Sequence, residues 1–198
     1  MINVILASGS SARAAMLRDS GIEFDVQAPC VDEEMILRSL ELEGAKPADI
    51  TDTLAEYKAR RVSASNPSAL VIAADQTLVY NGKIYTKPKD MREARIHLTT
   101  LRGHGHQLLS AVVVYQNAKP VWRHLGRAQL VMRDFSDVFL DDYLKKTGKD
   151  VLRNVGCYQI ESYGLNLFSH IEGDYFTILG MPLLEVLGFL RLRGVILK

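Results

Sequence analysis

With 198 residues, 47% of them hydrophobic and 24% charged, the chain can bury a full core and has the composition of an ordinary soluble globular protein. A formal net charge of +1 excludes broad electrostatic binding to nucleic acid or to an acidic membrane, though not a small anion held by a few placed cations. No long uncharged apolar span marks a transmembrane helix, and the N-terminus lacks the basic and apolar regions of a signal peptide, so a cytoplasmic protein is expected.

The patterns alternate strand and helix. A strand over 3–7 ends in Ser8-Gly9-Ser10-Ser11, and a helix over 12–19, stopped by Gly21, carries Arg13 in its first turn. Free backbone N–H groups and the positive end of the helix dipole suit such a junction to an anion, and Arg13 adds a fork-shaped donor that matches phosphate. A second strand over 23–27 is closed by Pro29. Helices follow over 34–43 and 50–63. Val31-Asp32-Glu33-Glu34 places three carboxylates before the first of them, an arrangement that usually complements a helix N-terminus and less often supplies a metal ligand. Lys58, on the second, reads by itself as a helix-surface cation.

The run over 69–74 is apolar without alternation, as expected of a strand covered on both faces, and Asp75 terminates it. Position alone weighs equally a turn-starting aspartate and a carboxylate that binds Mg²⁺ or takes a proton from water. Leu78-Val79-Tyr80 and Lys83-Ile84-Tyr85 flank Asn81-Gly82, a strong hairpin signal, and Lys87-Pro88 follows. Next come a helix over 91–101, a buried strand over 108–115 and a more polar strand over 121–132, the two strands joined by a turn over 117–120. The chain closes with a helix over 136–146 capped by Ser136, a strand over 165–171 and a helix over 182–192. Trp122 and the Tyr80/Tyr85 pair read as cross-strand packing. Cys30 and Cys157 have no metal-like or redox spacing and read as reduced thiols rather than a disulfide. The five histidines form no metal-binding pattern; His104 and His106 read as structural.

Six blocks occur in order: Leu6-Ala7-Ser8-Gly9-Ser10 with Arg13; Val31-Asp32-Glu33; Lys58-Ala59; Ala74-Asp75-Gln76; Gly82 through Lys87-Pro88; and Ile171-Glu172-Gly173-Asp174-Tyr175 with Gly180-Met181-Pro182-Leu183. As an ordered set, over 6–194, they resemble the Maf-like nucleotide pyrophosphatases. The resemblance implies one α/β domain over 1–198, a mixed twisted sheet flanked by helices, with two lobes and a nucleotide-binding cleft. It implies Mg²⁺- or Mn²⁺-dependent cleavage between the α and β phosphates of a nucleoside triphosphate, with no nucleic-acid or membrane partner, and a homodimer.

Carried over by residue, Asp75 matches the general base that also touches the metal, and Glu33 a carboxylate near the metal. Ser8, Arg13, Lys58 and Lys87 match the groups holding the triphosphate, Lys87 standing with Asp75 and Glu33 in the catalytic set. Base choice falls to Ala12, Gln76 and Glu161. Members similar to the dTTP/UTP hydrolases tend to carry Arg, Thr and Gln there, and those similar to 7-methyl-GTP hydrolases Trp, Gln and Glu. This chain matches the second set at Gln76 and Glu161 and neither at Ala12, and Ala14 replaces the usual second arginine after Arg13. The expected activity is therefore that of a pyrophosphatase favouring a 7-methyl-GTP-like purine over dTTP and UTP. The alternative is a non-catalytic nucleotide-binding regulator of septum formation and cell division; the trio Glu33, Asp75 and Lys87 favours the enzyme.

Overall fold

Strand β1 (Val4–Leu6) lies between two parallel neighbours, β2 (Asp25–Val26) and β3 (Leu70–Tyr80), with Ile5 opposite both Asp25 and Val71 in a computed structural model that describes residues 2–197. Between them run α1 (Ser11–Asp19), α2 (Glu33–Leu42) and α3 (Pro47–Ser63). Side chains alternate across a strand, and here the alternation sorts the core into two layers. Leu6, Leu70, Ile72 and Ala74 pack with Met16 and Leu17 of α1 and with Val186 and Leu190 of α7 (Leu183–Leu192). Ile5, Ala7, Val71 and Ala73 pack on the other side with Ala55, Ala59 and Val62 of α3. Small alanines on α3 let the helix lie close to the sheet.

The run over 69–74 is thus covered on both faces as expected, but β3 does not end there. It continues through Asp75, Gln76 and Thr77 to Tyr80. The sequence signals a stop because three polar residues interrupt the apolar run; the strand persists because Asp75 and Gln76 have hydrogen-bond partners on the elements beside it. Asp75 is therefore mid-strand, not at a strand terminus.

The remaining elements are β4 (Lys83–Tyr85), α4 (Met91–Leu101), β5 (Gly105–Gln116), β6 (Lys119–Met132), α5 (Asp137–Thr147), β7 (Phe168–Gly173) and the short α6 (Tyr175–Ile178). The seven strands form one mixed sheet in the order β2-β1-β3-β5-β6-β7, with β4 paired to β3. Two turns follow the expected chemistry: Asn81 (φ 49°) and Gly82 (φ 74°) close the β3–β4 hairpin, and Asn117 (φ 53°) and Ala118 (φ 57°) lead from β5 into β6.

The chain divides into two compact units, Met1–Gln76 with Leu109–Gly126 and Asp174–Lys198, and Thr77–Leu108 with Arg127–Gly173. In the first, Trp122 packs on Phe189 of α7 with ring centroids 5.1 Å apart, the packing role expected of it. In the second, α5 is capped by Ser136, as read from the sequence. His106 is fully buried against the Tyr158 hydroxyl, 2.8 Å from its Nε2, and His104 stacks on Tyr80, so both are structural. Cys30 and Cys157 are free thiols. The strand expected over 165–171 begins only at Phe168, because a 3₁₀ turn occupies Tyr163–Leu167. Gly164 makes that turn possible: a Cβ there would lie 2.5 Å from the Gln159 carbonyl oxygen.

Candidate active site

The loop from β1 into α1 behaves as an anion-binding junction should. Ser10 caps α1 through its hydroxyl, which accepts the Arg13 N–H, and no acidic residue occupies the first turn to oppose an incoming negative charge. The buried Ser8 hydroxyl accepts from the Ser10 N–H at 3.2 Å and from Arg13 Nη1 at 3.4 Å. Arg13 is itself held: Nε donates to the Gly180 carbonyl and Nη1 to the Ala74 carbonyl, both at 2.9 Å. One edge of the guanidinium thus ties three chain segments together. Nη2 makes no hydrogen bond among the described residues and is the nitrogen left for a ligand. Burial lowers the Arg13 pKa from its usual value, opposed by the negative charges of Asp75 and Glu33.

On the α3 face of the sheet, Lys58 joins two carboxylates. Its Nζ donates to Asp75 Oδ1 on β3 and lies 3.0 Å from Glu33 Oε1 in the first turn of α2. The Lys58 and Asp75 side chains are 7% and 8% exposed, whereas that of Glu33 is 54% exposed, so a buried ion pair opens to solvent through one acid. The surface cation expected from sequence is a buried one, its stem laid against the sheet. Burial pushes the Asp75 carboxyl above its usual range; Lys58 and Arg13 pull it down, and Glu33 pushes it up. A raised carboxyl is a stronger proton acceptor when ionised than an ordinary aspartate. Oδ2 makes no hydrogen bond among the described residues, which leaves it free to take a proton.

Gln76 leaves β3 on the opposite face. Its Nε2 lies 3.0 Å from Ser110 Oγ, 3.1 Å from the Thr177 carbonyl and 3.0 Å from the Ile178 carbonyl. Ser110 in turn donates to the Thr177 carbonyl at 2.7 Å. The segment around α6 thereby meets two expected site residues, Gln76 at Thr177 and Ile178, and Arg13 at Gly180.

Residues 3–193 match the family of Maf-like proteins. The chain belongs to the Maf family. It is 46% identical over 194 residues to a nucleoside triphosphate pyrophosphatase of Ruegeria sp. (strain TM1040), covering 98% of each chain. It is 49% identical over 193 residues to a protein of the same name from Caulobacter vibrioides, covering 98% of this chain and 96% of that one. It is also 46% identical over 193 residues to a 7-methyl-GTP pyrophosphatase of Rhizobium meliloti, covering 98% and 97%. Among solved structures, a HAM1 protein from Coxiella burnetii is similar over 68% of this chain and 75% of that one, at 16% identity and a TM-score of 0.40.

Within the first unit of this Maf chain, Ser8, Ala12, Arg13, Glu33, Lys58, Asp75 and Gln76 fall on four elements and the β1–α1 loop. Ala12 is half-buried in α1. Lys87 and Glu161 belong to the second unit. Lys87 is exposed beside the buried Pro88 and pairs with no acid among the described residues, and Glu161 is exposed in the turn before the Tyr163 segment. Asp32, grouped with Glu33 in the sequence, is the N-cap of α2, accepting the Met35 N–H at 3.0 Å.

Among the described residues no three His, Cys, Asp or Glu side chains converge as a metal cage. Asp75 and Glu33 do offer hard carboxylate oxygens around one buried ammonium, so that spot accommodates positive charge. Mg²⁺ is commonly held by one or two carboxylates with substrate phosphates supplying further oxygens, and the donor set fits that mode. Sequence reasoning missed Ser110, Thr177 and Gly180. Ser110 left one signal, a lone hydroxyl within the apolar run over 108–115.

Proposed function

We propose that this Maf chain hydrolyses nucleoside triphosphates between the α and β phosphates, releasing a nucleoside monophosphate and pyrophosphate, with 7-methyl-GTP-like purines favoured over dTTP and UTP. The observation that carries the reaction is the buried Asp75–Lys58 pair with Glu33 at its open side. Asp75 Oδ2 takes a proton from water as the water oxygen attacks phosphorus, and pyrophosphate leaves with the electrons of the broken P–O bond. The Lys58 ammonium and Arg13 Nη2 stabilise the negative charge gathering on the phosphoryl oxygens, while the first N–H groups of α1 hold a phosphate. Asp75 and Glu33 would hold a divalent cation, Mg²⁺ or Mn²⁺, which when bound supplies further charge neutralisation at the phosphates.

Lys87 is assigned a further phosphate contact and Glu161 an acceptor for a guanine edge, the latter supported by the Gln76/Glu161 pattern and by the name of the Rhizobium relative. Pyrophosphate release from 7-methyl-GTP, GTP, ITP, dTTP and UTP, with Mg²⁺ and with chelator, tests the reading. Release from purine nucleotides in Mg²⁺ alone is expected. Far faster cleavage of dTTP or UTP would overturn the purine preference, and no release from any nucleotide would overturn the activity.

A further inference from the structure

All three groups facing Gln76 Nε2 present lone pairs. Two are main-chain carbonyls, and Ser110 has only one hydroxyl proton, given to the Thr177 carbonyl at 2.7 Å. Were the amide reversed, Oε1 would face three acceptors and the NH₂ group would lose every partner it has there. That arrangement costs several unmade hydrogen bonds, because Ser110 is fully buried and no water can compensate it. The amide therefore has one orientation, with both its protons consumed inside the protein. Gln76 nevertheless remains partly exposed, and its amide is anchored two positions from the Gly180 carbonyl that holds Arg13.

We infer that Gln76 meets the substrate as a hydrogen-bond acceptor only, its Oε1 selecting nucleobases that present a ring N–H. A free glutamine amide reads donors and acceptors alike by turning over; this one cannot turn. The inference rests on the proposed nucleotide hydrolysis and narrows its substrates to bases of the 6-oxopurine and 4-oxopyrimidine type. Adenine and cytosine carry a ring lone pair at the corresponding position, which would oppose Oε1.

Two matched pairs isolate this edge: ITP against ATP, and UTP against CTP. Each pair differs only in exchanging an oxo group and ring N–H for an amino group and ring lone pair. Steady-state pyrophosphate release with Mg²⁺ should give kcat/KM ratios of roughly tenfold or more for ITP over ATP and for UTP over CTP. Gln76→Met keeps the length of the side chain but removes the acceptor. It should bring both ratios to within about threefold of one, through loss on ITP and UTP. A general folding defect would depress all four substrates together and leave the ratios alone. Wild-type ratios near or below one would overturn the inference without any variant, as would ratios unchanged in folded Gln76→Met. Release with flat ratios leaves the proposed hydrolysis standing; no release from any of the four removes both.

Discussion

Asp75 and Gln76 are consecutive in β3, yet Asp75 bonds Lys58 of α3 on one face of the sheet while Gln76 bonds the Thr177 and Ile178 carbonyls on the other. Two adjacent positions of one strand thus serve two separate networks, one built around charge and one around neutral hydrogen bonds. Changes at either residue should be separable in their effects.

Asp75→Asn retains the shape of the side chain and removes the proton acceptor. Pyrophosphate release should fall on the order of 10²–10⁴-fold, the usual worth of a general base. Stability should move the other way. Because burial raises the folded Asp75 pKa above its value in the unfolded chain, ionisation is resisted in the folded state, and the residue's contribution is lost as pH rises through the folded pKa. The melting temperature of Asp75→Asn relative to wild type should therefore climb between pH 4 and pH 8. Unchanged turnover in a folded variant would refute the role of Asp75, and a flat melting difference would refute the raised pKa.

Glu33 is the exposed arm of the carboxylate pair, so Glu33→Gln should leave the fold intact while weakening the hold on a divalent cation. Chelator should stop pyrophosphate release and Mg²⁺ or Mn²⁺ restore it. In the variant, the Mg²⁺ concentration giving half-maximal rate should rise about tenfold or more. An identical Mg²⁺ titration curve would detach Glu33 from the metal.

Arg13→Lys keeps the charge but cannot satisfy the Gly180 and Ala74 carbonyls together in the geometry of a guanidinium edge. A loss of about 1–3 kcal/mol in denaturant-derived stability is expected, together with a higher KM for the nucleotide. Wild-type stability and KM in Arg13→Lys would show that the tether is dispensable.

His106 sets an acid limit. Burial holds its imidazole neutral, with the pKa lowered from 6.5 to about 4, while in the unfolded chain it protonates near its ordinary value. Stability supplied by the neutral ring is complete above pH 6.5 and is lost as pH falls toward 4, by on the order of 3 kcal/mol. His106→Gln, which can still bond the Tyr158 hydroxyl, should flatten that part of the stability–pH curve. A slope identical to wild type would exclude His106 as its source.

Much of this arrangement was legible in the residues themselves. The apolar run over 69–74 announced a two-sided strand, Asn81-Gly82 a hairpin, and Ser136 a helix cap, since each of these signals is local. What stayed hidden depended on partners distant in sequence. Asp75 looked like a strand end because its partner Lys58 lies on α3, and Lys58 looked solvated for the same reason. Arg13 read as a free fork, although carbonyls at positions 74 and 180 occupy most of it. The stretch over 148–167 carries no period of 2 or 3.6, and its direction is set by left-handed Gly148, Gly156 and Cys157, which composition does not reveal.

The carbonyls at 177, 178 and 180 belong to a single short turn, started by Asp174, whose carboxylate accepts the Thr177 N–H at 2.6 Å. Adding or deleting one residue there would misalign an arginine and a glutamine at a stroke. Loops elsewhere on the surface have room to vary in length, but this one is calibrated like a ruler, and its spacing is as much a part of the enzyme as any side chain it holds.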